Sequence, residues 1–167
     1  KNQAIIVNGQ LIKFIEGRNP EDIDYTAHGI VDALLIDNTG AFTDKEALSR
    51  HLRANGVSKV LLTAPGKEGI KNIVHGINNS SKTSNDMILG AASCTTNAIV
   101  PVLKVINEEY KIVSGHIETV HSYTNDQNLL DNFHKKERRG RSAALNLVIT
   151  ETGAGEAVGE VLPELVG

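Results

Sequence analysis

Short runs of apolar residues separated by polar turns occupy the first third of the chain, and each run has the length of a β-strand. Ala4–Val7 and Gln10–Ile15 flank the dipeptide Asn8-Gly9. Because Asn-Gly supplies the two positive φ angles of a type I′ turn, these segments are predicted to form a β-hairpin. Asn19-Pro20 then predicts the start of a helix, with the asparagine as its cap.

The next two apolar runs enclose a segment with helical spacing. Val31–Ile36 and Lys59–Thr63 are predicted to be buried strands. Between them, Thr43 and Glu46 have the spacing of a capping box, and Asn55-Gly56 is typical of a helix end. A strand, a helix and a strand in succession form a βαβ unit, so an α/β fold with a parallel sheet is predicted.

The second half of the chain has a different pattern. After a short predicted strand at Asp86–Leu89, residues 93–110 carry apolar side chains along one helical stripe. Pro101 lies inside this predicted helix, and we expect it to bend the helix or to fall within its first turn. His116–Ser122 is predicted to be a strand, whereas Ala143–Ile149 fits a strand or a short helix equally.

A long polar stretch without periodicity, Tyr123–Arg141, follows the last predicted strand. Its basic residues are Lys135, Lys136, Arg138, Arg139 and Arg141. One interpretation of these residues is a solvated loop. The other is a functional role, as a phosphate contact or a subunit interface, since arginine suits both. Further on, Thr150–Gly153 is a predicted turn, and Ala154–Leu162 is a predicted helix.

Composition narrows the classes of protein that fit. The chain has 167 residues and a net charge of −3, so it lacks the basic excess of a nucleic-acid-binding protein. No apolar run approaches the roughly 18 residues of a membrane span. The single cysteine excludes an internal disulfide framework and, without a histidine pair at ligand spacing, gives no support for a metal site. We therefore expect a soluble cytoplasmic protein.

Cys94 is the candidate nucleophile because it opens a predicted helix directly after a strand. The N–H groups at a helix N-terminus favour an anion, so the pKa of a thiol there is expected to be lowered. The alternative is a small buried side chain without a chemical role.

His121 is the candidate base. A helix of about 24 Å and a returning strand of about 17–20 Å would bring it back to the level of Cys94. The alternative is a structural histidine. The histidines to which the sequence assigns no role are His28, His51, His75, His116 and His134.

Two polar turns, Asp37–Gly40 and Thr63–Gly66, follow the carboxyl ends of predicted parallel strands. Doubly wound sheets bind their ligands at that edge. The alternative is a purely structural role, because ordinary turns use the same residue types. No G-x-G-x-x-G fingerprint occurs in the chain, although a complete dinucleotide-binding fold would carry one.

Several stretches of the chain match the motifs of one enzyme family. They are Asp37–Phe42, Thr63–Lys67, Ala92–Asn97, His121–Gln127, and Thr152-Gly153 with Gly159–Leu165. Through them the chain resembles the phosphorylating glyceraldehyde-3-phosphate dehydrogenases over essentially its whole length. The resemblance implies a fragment. Residues 1–93 would be the C-terminal part of a Rossmann-type dinucleotide-binding domain, and residues 94–167 the N-terminal part of an α+β catalytic domain.

The resemblance also implies a role for each site residue. Cys94 would attack the aldehyde of glyceraldehyde 3-phosphate, and His121 would act as the base and stabilise the developing oxyanion. Hydride would pass to NAD, and inorganic phosphate would release the resulting thioester as an acyl phosphate. The other site residues would be Thr39, Gly40 and Thr63 for the cofactor, Ser93, Thr95, Thr152 and Gly153 for inorganic phosphate, and Thr124 and Asp126 for the substrate phosphate.

Two further expectations follow from the same resemblance. Tyr123–Arg141 would cross to the cofactor of a neighbouring subunit in a homotetramer. The family's glycine fingerprint and its phosphate-binding arginine would lie outside these residues, so the chain by itself is expected to be inactive.

Alternatives remain within the family and outside it. Asn132-Phe133 stand where NAD-preferring members often have Leu-Pro, so NADP is the alternative cofactor. Asp126-Gln127 is similar to the motif of erythrose-4-phosphate dehydrogenase, whereas Thr124 favours the glyceraldehyde enzymes. Outside the family, a thiol hydrolase built on Cys94 and His121 or a non-catalytic piece would also fit.

Overall fold

A computed structural model describes residues 3–67 and 69–166 of the chain. The chain divides into two structural units: Lys1–Pro101, here called the sheet unit, and Val102–Gly167, here called the loop unit. None of the helices in the described ranges is long and apolar enough to cross a membrane.

The sheet unit begins with the predicted hairpin. Strands β1 (Ala4–Val7) and β2 (Gln10–Lys13) pair antiparallel. Asn8 and Gly9 have φ angles of 49° and 78°, which are the left-handed values that a type I′ turn requires. The hairpin prediction is therefore confirmed.

The predicted helix at Asn19-Pro20 is only a single 3₁₀ turn, Pro20–Asp22. Asn19 does not cap it through its side chain. Instead, the Asn19 amide donates a hydrogen bond to the Asp22 carboxylate at 2.7 Å. The proline fixes a helical φ for one turn, but the chain then becomes extended at Ile23.

A four-stranded parallel sheet follows in the same unit, with one helix between its first two strands. Its elements are β3 (Ala33–Asp37), α1 (Lys45–Leu52), β4 (Val57–Leu62), β5 (Lys71–Asn72) and β6 (Ile88–Gly90). The strand order is β3-β4-β6-β5, and every neighbouring pair is parallel. The α/β class and the βαβ unit are thus confirmed. Strand β5 was not predicted, because two residues are too few to show a period.

The core of the sheet unit lies between α1 and the sheet. Its buried members are Leu48, Val60, Leu62, Ile70 and Ile88. Helix α1 begins one residue later than the capping-box prediction. Asp44, rather than Thr43, is the cap, and its carboxylate accepts a hydrogen bond from the Ala47 N–H at 2.9 Å. An ionised carboxylate also interacts favourably with the positive end of the helix, which explains the preference.

Helix α2 (Cys94–Tyr110) follows β6 and confirms the predicted long helix. Pro101 lies well inside it rather than in its first turn. Since proline has no N–H, the carbonyl of Asn97 cannot receive its usual intrahelical hydrogen bond. Pro101 is also the last residue of the sheet unit.

The loop unit contains α3 (Ala154–Val161), which confirms the helix predicted there. The prediction of a strand at His116–Ser122 is wrong, because residues 111–124 form no β-strand and no β-bridge. Likewise, residues 143–149 form neither a strand nor an α-helix. A strand exists only when its backbone pairs with a neighbour, and alternation of side chains alone does not supply that neighbour.

Candidate active site

The candidate nucleophile sits at the junction between β6 and α2. Cys94 is the first residue of α2, as the sequence predicted, and its side chain is exposed and in no disulfide. Ala92 makes the turn between the two elements with a left-handed φ of 57°, although it is only 6% exposed. A buried non-glycine residue in that conformation is strained, and such strain is often found at functional sites.

Hydrogen bonds fix the turn that carries the thiol. Ser93 caps α2: its hydroxyl accepts from the Thr96 N–H at 3.0 Å and lies 2.7 Å from the Thr96 hydroxyl. The Asn97 amide donates to the carbonyls of Ala91 and Ser93, both at 2.8 Å. The backbone before the nucleophile is therefore held from within the first turn of the helix that follows it. Thr95, the second residue of α2, is half-buried.

The candidate base lies in the loop unit. His121 is exposed, and its Nδ1 is 2.6 Å from the carbonyl oxygen of Ser122. Since a carbonyl oxygen only accepts hydrogen bonds, Nδ1 carries a proton and donates a hydrogen bond to Ser122. In the neutral ring, Nε2 is therefore the unprotonated, basic nitrogen. A neutral ring in this tautomer can take up a proton at Nε2 as a general base.

Cys94 and His121 belong to different units. The sequence argument for their proximity depended on a returning strand, and that strand is absent. Their pairing therefore stays a prediction that rests on the motif resemblance.

The three residues expected to contact the cofactor lie on the turns after β3 and β4. Thr39, Gly40 and Thr63 are all exposed. The Thr39 N–H and hydroxyl both donate to Asp37 Oδ1 at 2.7 Å, and the Thr63 hydroxyl donates to the Asp37 carbonyl at 3.1 Å. The fold thus brings these three residues to one edge of the sheet, as the sequence predicted.

Asp37 is buried and paired with a histidine to which the sequence assigned no role. Nε2 of His51, on α1, lies 2.9 Å from Asp37 Oδ2. Burial raises the pKa of Asp37, but the hydrogen bonds from Thr39 and His51 outweigh burial and hold that pKa below its ordinary value. His51 follows Leu48 by three residues and so shares its inward face, which is the signal that could have identified it.

Thr152 and Gly153, expected at the inorganic-phosphate site, precede α3. Gly153 is the N-cap residue of α3, and its carbonyl accepts from the Ala157 N–H at 3.0 Å. The Thr152 hydroxyl accepts from the Ala154 N–H at 3.3 Å. Both residues are exposed at the positive end of the helix, where an anion is favoured.

Thr124 and Asp126, expected on the substrate-phosphate side, lie in one turn. The Thr124 hydroxyl accepts from the Asp126 N–H at 3.3 Å. The Asp126 carboxylate forms an ion pair with Arg139, whose guanidinium also lies 3.3 Å from the Thr150 hydroxyl. This arginine therefore links the Thr124 turn to the segment that leads to Thr152.

Two more arginines of the basic stretch are also engaged within the loop unit. Arg138 donates to the carbonyl of Ile149 at 3.0 Å, and Arg141 pairs with Asp131 at 3.2 Å. These contacts tie the arginines of the stretch to their own unit. In residues 3–67 and 69–166, no group of three or more histidine, cysteine, aspartate or glutamate side chains could hold a metal ion.

Comparison with known proteins relates the chain to a class of oxidoreductases. Residues 93–167 match the family model described as the C-terminal domain of glyceraldehyde 3-phosphate dehydrogenase. The match begins at Ser93, directly before the candidate nucleophile.

Similarity to individual proteins extends over the whole chain. It is 59% identical, over its full length, to a glyceraldehyde-3-phosphate dehydrogenase-like protein of Pseudomonas aeruginosa. It is 45% identical, over 99% of its length, to the chloroplastic glyceraldehyde-3-phosphate dehydrogenase A of Zea mays, and 43% identical, over its full length, to the glyceraldehyde-3-phosphate dehydrogenase of Borreliella burgdorferi. The resemblance found in the sequence is confirmed: the chain is a relative of the glyceraldehyde-3-phosphate dehydrogenases. It spans 36%, 40% and 50% of the lengths of these three proteins.

Proposed function

We propose that the complete gene product oxidises glyceraldehyde 3-phosphate to 1,3-bisphosphoglycerate with NAD and inorganic phosphate. One observation carries the proposal: the chain's only cysteine is exposed at the first position of a 17-residue helix, on a turn fixed by Ser93 and Asn97. A thiolate is favoured at that position by the helix dipole and the N–H groups of the first turn.

The chemistry begins with the thiol. His121 Nε2 takes the Cys94 proton, and the thiolate adds to the aldehyde carbon, which forms a C–S bond and places negative charge on the former carbonyl oxygen. The imidazolium then stabilises that charge. When bound, the nicotinamide supplies a hydride acceptor. Loss of hydride leaves a thioester on Cys94, and attack by a phosphate oxygen breaks the C–S bond and regenerates the thiolate.

The turns after β3 and β4 fit a dinucleotide. Thr39 and Thr63 present hydroxyl groups at the carboxyl edge of a parallel sheet, which is where such sheets bind nucleotides. A Cβ added to Gly40 would meet no atom within 4 Å, so the backbone there is open to a ligand. We propose that these three residues contact the cofactor.

Two groups of hydroxyls are proposed to bind the phosphates. Ser93 and Thr95, beside the nucleophile, and Thr152 and Gly153, at the start of α3, are proposed for inorganic phosphate. Thr124 is proposed for the phosphate of the substrate, with Asp126 on the same side. Since the Asp126 carboxylate is neutralised by Arg139, it does not oppose an anion as an unpaired carboxylate would.

The test is cofactor reduction by the complete gene product with glyceraldehyde 3-phosphate. With inorganic phosphate we expect continuous turnover. Without phosphate we expect a burst of about one reduced nicotinamide per active site, because the acyl group then stays on Cys94 as a thioester. A thiol hydrolase would instead release product without nicotinamide or phosphate, and that result would overturn the proposal.

The same assay separates the alternatives within the family. NADP in place of NAD tests the cofactor preference, and erythrose 4-phosphate in place of glyceraldehyde 3-phosphate tests the substrate. The homotetramer, the cytoplasmic location, the division at residues 93 and 94, and the inactivity of the chain alone stay predictions.

A further inference from the structure

The carboxylate of Asp37 fixes the turn after β3 through hydrogen bonds. Asp37 is 2% exposed, and its Oδ1 accepts two hydrogen bonds from Thr39, one from the N–H and one from the hydroxyl. The Thr39 hydroxyl in turn accepts from the Ala41 N–H at 3.1 Å. Both sides of Gly40 are therefore fixed through one carboxylate oxygen.

The backbone of Asp37 holds the second turn as well. Its carbonyl accepts from the N–H and the hydroxyl of Thr63, each at 3.1 Å. The same hydroxyl lies 2.8 Å from Asn38 Oδ1. The two turns that we propose to contact the cofactor are thus joined at Asp37.

His51 connects this arrangement to the core of the sheet unit. Its side chain is 9% exposed, it occupies the turn of α1 after Leu48, and its ring meets Phe42 edge-on at 5.2 Å between centroids. Because a carboxylate only accepts, Nε2 is the protonated nitrogen and donates to Asp37 Oδ2. The hydrogen-bond donor to Asp37 is therefore a buried ring that α1 and Phe42 hold in place, and not a mobile side chain on the surface.

A buried pair of this kind is weak evidence for a role in stability. Replacing a buried ion pair with well-packed apolar residues is often neutral or stabilising. A carboxylate with hydrogen bonds on both oxygens does, however, specify the positions of the groups bound to it.

We propose that His51 is a positioning residue that, through Asp37, holds Thr39, Gly40 and Thr63 in the geometry that binds the nicotinamide dinucleotide. The proposal rests on the proposed function, because it needs those turns to be the cofactor contacts. It goes beyond that function in assigning a task to a histidine that touches neither cofactor nor substrate.

The test is His51→Leu in the complete gene product, which removes the donor to Asp37. We expect the Kd and KM for NAD to rise about tenfold, the scale of one lost hydrogen bond to a charged group, while kcat changes less than about twofold. His51→Gln keeps an N–H donor of similar reach and should recover most of the loss. If the leucine variant does not fold, His51→Asn replaces it, since its amide is polar but too short to reach Asp37.

Leu48→Val is the matched control. It removes a methylene from the same helix without touching Asp37, so it separates a weaker fold from a displaced turn. If both variants raise the KM for NAD equally at equal loss of Tm, or if His51→Gln binds as weakly as His51→Leu, the positioning role is wrong. If the unaltered protein does not bind NAD, the proposed function fails and the proposal fails with it. Normal binding by both the unaltered protein and His51→Leu overturns the proposal alone.

Discussion

The sheet unit and the loop unit are stabilised in different ways. In the sheet unit, parallel strands and α1 bury aliphatic side chains such as Leu48 and Leu62, and the polar pair of Asp37 and His51 is enclosed with its hydrogen bonds satisfied. In the loop unit, many large apolar side chains are exposed. They include Val113, Val120, Phe133, Leu145 and Leu147.

Side-chain and irregular backbone contacts replace the core across much of the loop unit. The Asn128 N–H donates to the carbonyl of Arg139 at 3.0 Å, and the Ser142 N–H donates to Asp131 Oδ1 at 2.8 Å. Exposed ion pairs such as Arg141–Asp131 contribute only about 0–1 kcal/mol each. The sheet unit is therefore described by a repeating pattern of apolar and polar residues, whereas the loop unit is specified by individual pairs of interacting residues.

The catalytic proposal places the nucleophile in the sheet unit and the base in the loop unit, and the largest expected effect is at the nucleophile. Cys94→Ser in the complete gene product should lower the single-turnover rate of nicotinamide reduction by more than about 10⁴-fold, because a serine hydroxyl is scarcely ionised. Ala98→Ser, an exposed change on the same helix, is the control. A wild-type burst from Cys94→Ser would contradict the covalent mechanism.

His121→Asn should have the next largest effect. Loss of a positioned base should lower the acylation rate by about 10²–10⁴-fold, measured in the same single-turnover experiment. His116→Asn, at another exposed histidine of the loop unit, should leave the rate near that of the unaltered protein. The double variant with Cys94→Ser should be little worse than Cys94→Ser alone, since residues that act together are not additive. Additive losses would show that the two residues act in separate steps.

A pair of leucine truncations sharpens the contrast between the two units. Leu48→Ala should lower the free energy of unfolding of the chain by about 2–5 kcal/mol, because it leaves a cavity under the sheet. Leu145→Ala, at a residue that is 86% exposed, should change the free energy of unfolding by less than about 0.5 kcal/mol. Urea unfolding measures both. Equal losses would mean that Leu145 is covered in solution.

The smallest effect concerns pH. The Lys71 ammonium, 2.8 Å away, and the N–H of Thr83 lower the pKa of Asp86 from 3.8 to about 2. Because the pKa is lowered on folding, this contribution to stability is fully present above about pH 4 and is lost as the pH falls towards 2. Asp86→Asn should therefore reduce the decrease in unfolding free energy between pH 5 and pH 2, measured by urea unfolding at each pH. An unchanged pH dependence would show that the pair does not stabilise the folded state.

Local signals predicted the sheet unit well. The Asn8-Gly9 turn and the βαβ unit depend on residues adjacent in sequence, so the pattern was sufficient. Prediction failed where two neighbours competed, as at Thr43 and Asp44, and where pairing partners were needed, as at residues 116–122. Side-chain alternation cannot reveal whether another strand is available.

The candidate site was likewise predictable only where it depends on residues adjacent in sequence. The place of Cys94 at a helix start was predictable, because a strand, a turn and a helical stripe are consecutive there. The pair of Asp37 and His51 was not predicted, since it joins residues 14 positions apart on different elements. Only its two halves were visible: a carboxylate at the end of a buried strand and a histidine on the inward face of a helix.

The turn before the nucleophile also limits how this chain can be diversified. Ala92 is both left-handed and buried, so larger side chains would meet either backbone strain or the packed interior. Glycine is the one substitution that avoids both. A variant library aimed at the surroundings of the thiol would therefore lose most of its members by randomising position 92. Ala98, which is exposed on the first turns of α2, offers far more room for change.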